Sequence, residues 1–234
     1  MSLEKCMIKT VFLDIDDTLL DFHRAEALAI RTALTRFGIE PSDENVRRYS
    51  TINRSCWESF EKGEMSRESV LTTRFDMLFL EMGVNFSPDE AQRIYEYELG
   101  SYHFYIDGAR EMLEEIYKDY DLYITTNGIS VVQTRRIADS GIAKYFKDIF
   151  ISEEIGFNKP QKEYFDFIFD KIKGFDKESA IIVGDSLSSD ILGGINARIK
   201  TCWYNPKGLP TKGGVTPDYI LSDITKLPNL LKQL

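Results

Sequence analysis

Ten residues into the chain, the run Thr10-Val11-Phe12-Leu13 is apolar and β-rich, and it ends on Asp14, with Asp16, Asp17 and Thr18 directly behind. Such a run, without polar alternation, reads as a strand buried on both faces in a parallel sheet. Ligands of open parallel sheets bind beyond the carboxyl ends of the strands. The run therefore predicts both a fold class and a place to look for chemistry.

The chain then changes character in blocks. From His23 to about Gly100 apolar residues recur at helical spacing. Ala27, Ile30, Leu34 and Phe37 stop at Gly38. A second set, Val46 to Phe60, follows Ser42 and stops at Gly63; a third, Val70 to Met82, follows Ser66 and stops at Gly83. Ser87-Pro88-Asp89-Glu90 supplies a cap, a proline at the first helical position and a glutamate at N3. Four helices with short links predict a bundle. After Asp107-Gly108 helices alternate with strands expected at 122–126, 149–151, 180–183, 200–204 and 219–221. The expectation is an α/β fold: a Rossmann-like parallel sheet built from residues 1–17 and 105–234, with residues 18–104 as an inserted helical domain.

With 234 residues, 43% hydrophobic and 29% charged, the chain can bury a sizeable core. A net charge of −9 repels nucleic-acid polymers and anionic membranes, so a bound phosphate must be held by local cations. No apolar run approaches membrane-spanning length, and no positive-then-apolar leader opens the sequence. Cys6, Cys56 and Cys202 form no CxxC pair, and His23 and His103 have no metal-ligand spacing. These features predict reduced, structural thiols in a cytoplasmic protein.

The predicted strand ends carry a consistent set of groups. Asp14, Asp16, Asp17 and Thr18 follow the first; Thr126, Asn127 and Gly128 end the second; Lys159 follows the third; Gly184, Asp185 and then Asp190 follow the fourth. Singly, a polar residue after a strand is an ordinary helix cap. Together the groups suit phosphate-ester hydrolysis, which needs a nucleophile, a proton donor and cationic neutralisation of the phosphoryl group. Asp14 is placed to be the nucleophile. Asp16 can protonate the leaving oxygen and then take a proton from water. Magnesium prefers oxygen ligands, which Asp14, Asp185 and the main-chain carbonyl of Asp16 can supply. Asp190 is expected to steer a metal-bound water or to hold Lys159. Thr126, the amides after it and Lys159 would bind the phosphoryl oxygens.

These residues resemble the haloacid dehalogenase-like hydrolase superfamily. The stretches Asp14-Ile15-Asp16-Asp17-Thr18, Thr126-Asn127-Gly128, Lys159-Pro160 and Gly184-Asp185 through Asp190 match its motifs in order. The resemblance adds Asp17, Thr18 and Asn127 to the expected phosphate site. It also implies that the helical insertion is a C1-type cap closing over the rim, with a small phosphorylated metabolite as substrate. A narrower likeness, through Ile151 to Gly156, Ile191 to Ala197, Thr201 to Trp203, and Asn53, Trp57 and Gly63 of the insertion, is to the YjjG-type subgroup of pyrimidine 5′-nucleotidases. That subgroup usually has glycine where this chain has Arg198. Aspartate at position 16 separates the chain from dehalogenases, which lack it, and from transport ATPases, which carry threonine there.

Trp57, Phe60 and Asn53 lie along one predicted helix. They could stack on a base and bond its edge, or the two aromatics could belong to the bundle core. Two further readings stay open at this level: a phosphatase for sugar phosphates or phosphoglycolate, because the motifs act on the phosphoryl group alone, and a phospho-accepting signalling or non-catalytic module. The sequence assigns no oligomeric state.

Overall fold

The structure, a computed structural model, describes residues 7–234; Cys6 lies outside them. Six parallel strands form one sheet in the order β3-β2-β1-β4-β5-β6. They are β1 (Thr10–Leu13), β2 (Asp121–Thr126), β3 (Asp148–Ile151), β4 (Ala180–Gly184), β5 (Lys200–Tyr204) and β6 (Tyr219–Leu221). β1 is central, fully buried, and in register with both neighbours: Leu13 lies opposite Ile124 on β2 and Val183 on β4. The chain winds from β1 towards β3, then returns across β1 to β4. Strand order thus reverses between β1 and β4, which opens a crevice at their carboxyl ends.

Alternation along β1 feeds two apolar layers. Val11 and Leu13 pack with α5 (Ala109–Ile116) and α10 (Leu227–Gln233), while Phe12 packs with Tyr164, Phe165 and Phe169 of α8 (Lys162–Lys171). α6 (Ser130–Ser140), the short α7 (Ser152–Ile155) and α9 (Leu192–Ala197) complete the cover. α9 ends on Arg198, whose φ of +59° is the left-handed conformation usually given to glycine. α7 and a single π turn at Leu187–Ile191 are too short to show in apolar periodicity.

Between β1 and β2 lie α1 (Phe22–Arg36), α2 (Asp43–Glu61), α3 (Arg67–Met82) and α4 (Pro88–Leu99). Ser42, Ser66 and Ser87 each accept a backbone N–H in the first turn of α2, α3 and α4, and each cap contributes about 1 kcal/mol. The four helices share an apolar cluster, centred on Tyr49, Phe75, Leu78 and Tyr95, which Ile129 and Val132 at the start of α6 join from below. The outgoing and returning linkers pair where they cross: Asp21 donates to the carbonyl of Phe104 (2.8 Å), and Ile106 to that of Leu19 (3.0 Å). The helical layer is thereby set over the carboxyl ends of β1 and β4. No helix among the described residues is long and apolar enough to cross a membrane.

Candidate active site

A cavity of about 480 Å³ lies between the strand ends and the helical layer. Asp14, Asp16, Asp17, Thr126, Asn127, Lys159, Asp185 and Asp190 line it from below; Asn53 and Trp57 line it from above.

Asp14 is one residue past β1, and its amide is tied to Val183 on β4 (3.0 Å), so the side chain starts from a fixed point. Lys159 is almost fully buried. Its Nζ donates to Asp14 Oδ1 (2.6 Å), Asp190 Oδ1 (2.7 Å) and the carbonyl of Thr125 (2.8 Å), which uses all three ammonium protons. Burial opposes that charge, but the two carboxylates outweigh it and push the Lys159 pKa up. Burial raises Asp14 well above the usual carboxylate range; Lys159 pulls it back, and Asp190 and Asp16 add to the rise.

Asp185 is raised well above the usual range as well, by burial first and then by repulsion from Asp14. Its main-chain carbonyl accepts the Trp203 indole N–H (2.7 Å), which anchors it to the end of β5. Among the described residues no donor bonds its carboxylate. Oxygens of Asp14, Asp185 and Asp190 lie within 4.8 Å of one another. Crowded carboxylates of this kind, one lacking any donor, suit a divalent cation. Asp190 has Lys159 on one oxygen and the Ser186 amide on the other (3.1 Å), so the free oxygens are those of Asp14 and Asp185. The Asp16 carbonyl accepts no hydrogen bond from the described residues.

Two glycine positions follow from this packing. A Cβ on Gly184 would stand 2.2 Å from Asp190 Oδ2, and one on Gly128 would stand 2.5 Å from the amide nitrogen of Gln133. Gly184→Ala is expected to cost about 1–3 kcal/mol by overpacking and to lower turnover, because Asp190 must let go of Lys159. Thermal melts and phosphate release check this; an unshifted melt would contradict the contact.

Several expected site residues do other work. Asp17 adopts a left-handed φ of +56°, and its carboxylate accepts from the amides of Phe22 (3.0 Å) and His23 (3.2 Å), capping α1 and pairing with His23. Its own amide goes to Leu20 (2.8 Å). The Asp17 carboxylate and amide are thus both engaged in the loop that opens α1, while the residue still lines the cavity. Thr18 is fully buried, its hydroxyl has no partner, and it does not line the cavity. Asn127 spends its side chain on Lys159, accepting the backbone N–H (3.0 Å) and donating to the carbonyl (2.8 Å), so it orients the lysine. Thr126 remains at the rim, accepting from Gln133 (2.8 Å) and the Gly128 amide (3.1 Å). In the helical layer, Asn53 is buried between Glu26 Oε1 (2.6 Å) and Arg74 (2.7 Å), which leaves it one free N–H. Trp57 reaches the cavity, while Phe60 packs edge-on behind it and does not.

Residues without a motif complete the site. Gln133 Nε2 donates to Asp16 Oδ2 (2.8 Å), and Arg136 pairs with Asp16 Oδ1. Their i, i+3 spacing after Thr126-Asn127-Gly128 was a readable sign that both face the rim. Arg67, from α3, crosses to the carbonyl of Asn127 (2.7 Å) and the hydroxyl of Ser152 (2.6 Å). Glu61, from α2, accepts from Ser188 (2.5 Å), and burial raises it to about 7. No sequence spacing signals these two contacts between the helical layer and the sheet domain.

Residues 11–204 match the haloacid dehalogenase-like hydrolase family. The chain belongs to that family. It is 41% identical to HAD-hydrolase YfnB of Bacillus subtilis, over 95% of each chain. It is 37% identical to the pyrimidine 5′-nucleotidase PynA of Streptococcus pneumoniae over 90% of each, and 28% identical to the pyrimidine 5′-nucleotidase YjjG of Escherichia coli over 94% of this chain and 96% of that one. The crystal structure of YfnB bound to magnesium superposes with a TM-score of 0.92 at 40% identity, covering 96% of this chain and 99% of that one. The superfamily and its YjjG-type branch, read from the motifs, are thus borne out for this hydrolase, as is the Rossmann-like α/β core.

Proposed function

We propose that this hydrolase is a magnesium-dependent phosphomonoesterase that takes a nucleoside 5′-monophosphate, with Asp14 as nucleophile, Asp16 as acid and base, and residues 18–104 as the cap. The observation that carries the reading is the arrangement at β1: one carboxylate held on a buried lysine, with a second two residues on, both lining one cavity. Likeness to two pyrimidine 5′-nucleotidases favours a nucleotide over other phosphate esters.

Asp14 attacks phosphorus, and the bond from phosphorus to the ester oxygen breaks as the aspartyl-phosphate forms. Asp16 gives its proton to the departing alkoxide, then takes one from the water that attacks the phosphoryl group. Lys159 offsets part of the burial that disfavours the Asp14 charge, and the Thr126 hydroxyl with the Asn127 amide faces the phosphoryl oxygens. Magnesium would be held by Asp14, Asp185 and the Asp16 carbonyl, where it neutralises phosphoryl charge. The cap excludes water and limits the substrate to small molecules.

Trp57 gives the cavity an aromatic wall, and base stacking contributes about 1–3 kcal/mol per base. The test is phosphate release with magnesium on a panel of nucleoside monophosphates, sugar phosphates and phosphoglycolate. Nucleotides should be turned over best, and Trp57→Ala should lower their kcat/KM by about tenfold or more while sparing small sugar phosphates. Equal preference across the panel in a folded Trp57→Ala protein would end the stacking role. A wild-type preference for sugar phosphates would replace the nucleotide assignment.

A further inference from the structure

The grip on Asp16 goes beyond what the motifs contain. Its two oxygens meet different donors on one helix face: Oδ1 the guanidinium of Arg136, Oδ2 the amide of Gln133. Arg136 is 1% exposed and fixed on two more sides, by Gln133 Oε1 (3.0 Å) and by its Nε on the carbonyl of Tyr102 (3.0 Å) in the returning linker. Its Nη2 is buried without a partner. An arginine buried with an orphan donor is a costly residue to keep for packing alone. Gln133 bonds Thr126 at the same time, and Gly128 leaves it room by lacking a Cβ. Asp16 itself lies within a turn closed by the Thr18, Leu19 and Leu20 amides on the carbonyl of Ile15, which fixes its backbone but not its carboxyl group.

We propose that Gln133 and Arg136 are positioning residues for proton transfer: they aim the Asp16 carboxyl group at the ester oxygen. The proposal rests on the acid and base role of Asp16 given above. Proton transfer requires the donor within hydrogen-bond reach in a fixed direction. Arg136 holds Oδ1. Oδ2, facing the neutral amide, carries the proton: a protonated carboxyl oxygen keeps a lone pair, so it can accept from Gln133 while its O–H points at the leaving oxygen. After transfer the same oxygen is free to receive a proton from water.

The test compares kcat/KM on two esters, because that quantity ends at departure of the leaving group. p-Nitrophenolate leaves without a proton; an aliphatic alkoxide does not. The aliphatic ester is whichever member of the panel the wild-type protein turns over best. In Gln133→Leu, which keeps the side chain's bulk, kcat/KM on the aliphatic ester should fall about 100-fold, and on p-nitrophenyl phosphate less than about fivefold, with the loss in kcat and not in KM. Arg136→Met should show the same split, and Arg136→Lys should recover much of the loss. If Arg136→Met fails to fold, Gln133→Leu alone decides. Equal losses on both esters, or none, in a folded Gln133→Leu protein would overturn the proposal. Asp16→Asn is measured alongside. If it shows the split and Gln133→Leu does not, only the positioning role falls. If Asp16→Asn shows no split, the acid role of Asp16 fails first and takes the proposal with it.

Discussion

Asp14→Asn is expected to lower kcat by about 10⁴-fold or more, the scale on which an enzyme loses its covalent nucleophile. The amide matches the carboxylate in size and can still accept the Lys159 ammonium through its oxygen, so the site keeps its shape. It cannot form an acyl phosphate. The electrostatic changes oppose one another. Removing the charge relieves repulsion with Asp185 and Asp190 in a place where burial already disfavours it. The same change takes one of two carboxylates from Lys159. The variant should therefore melt within about 4 °C of wild type, the shift that roughly 1 kcal/mol produces at this chain length. Trapping of phosphate on the wild-type protein, lost in the variant, gives a second readout. Full turnover by Asp14→Asn would remove the covalent mechanism and leave the carboxylates as metal ligands alone.

What the sequence made legible was whatever depends on a short stretch of chain. β1 and β4 are nearly continuous apolar runs because each is buried on both faces, and the register of β1 with β2 and β4 brings Asp14, and Thr126 and Asp185 one residue beyond it, to one rim. The caps of α2, α3 and α4 were readable for the same reason: a serine before each helix answers N–H groups three residues on. The expected site residues that take other partners share a cause. Asp17 and Thr18 sit beside the nucleophile in sequence, but the left-handed turn at Asp17 sends one to the N-terminus of α1 and the other into the interior. Asn127 faces the rim, yet a buried lysine needs its backbone fixed, and that claims the side chain. Gln133 and Arg136 left a local trace in their i, i+3 spacing, but Arg67 and Glu61 enter through the packing of α3 and α2 over the sheet, which no local pattern encodes. Asn53 was found for the wrong reason: its place on the cavity wall is real, but most of its hydrogen-bonding capacity serves Glu26 and Arg74.

Lys159→Met should have the largest effect on stability. Methionine fills a similar volume, so little cavity is opened and the change is mainly one of charge. Three donor contacts vanish, and Asp14 and Asp190 are left buried with no cation between them. Breaking a buried pair by removing one partner costs about 3–5 kcal/mol, which at this length lowers Tm by roughly 6–20 °C. The pH dependence fixes the cause. Asp14 and Asp185 already have folded-state pKa values above their unfolded ones. Groups of that kind favour the fold at acid pH, where both states are protonated, and lose that contribution as pH rises through the folded value. Lys159 lowers the Asp14 value, so its loss moves Asp14 further up. Measured between pH 5 and pH 8, the deficit of the variant should therefore be smallest at the acid end and grow as pH rises. Magnesium should narrow it, since a cation between Asp14 and Asp185 screens the same charges and ligand binding to the folded state raises Tm. Melts of both proteins across that pH range, with and without magnesium, decide the matter. A deficit that is constant in pH and indifferent to magnesium would mean that Lys159 holds the loop by packing, and that the carboxylates at the ends of β1 and β4 do not form a cation site.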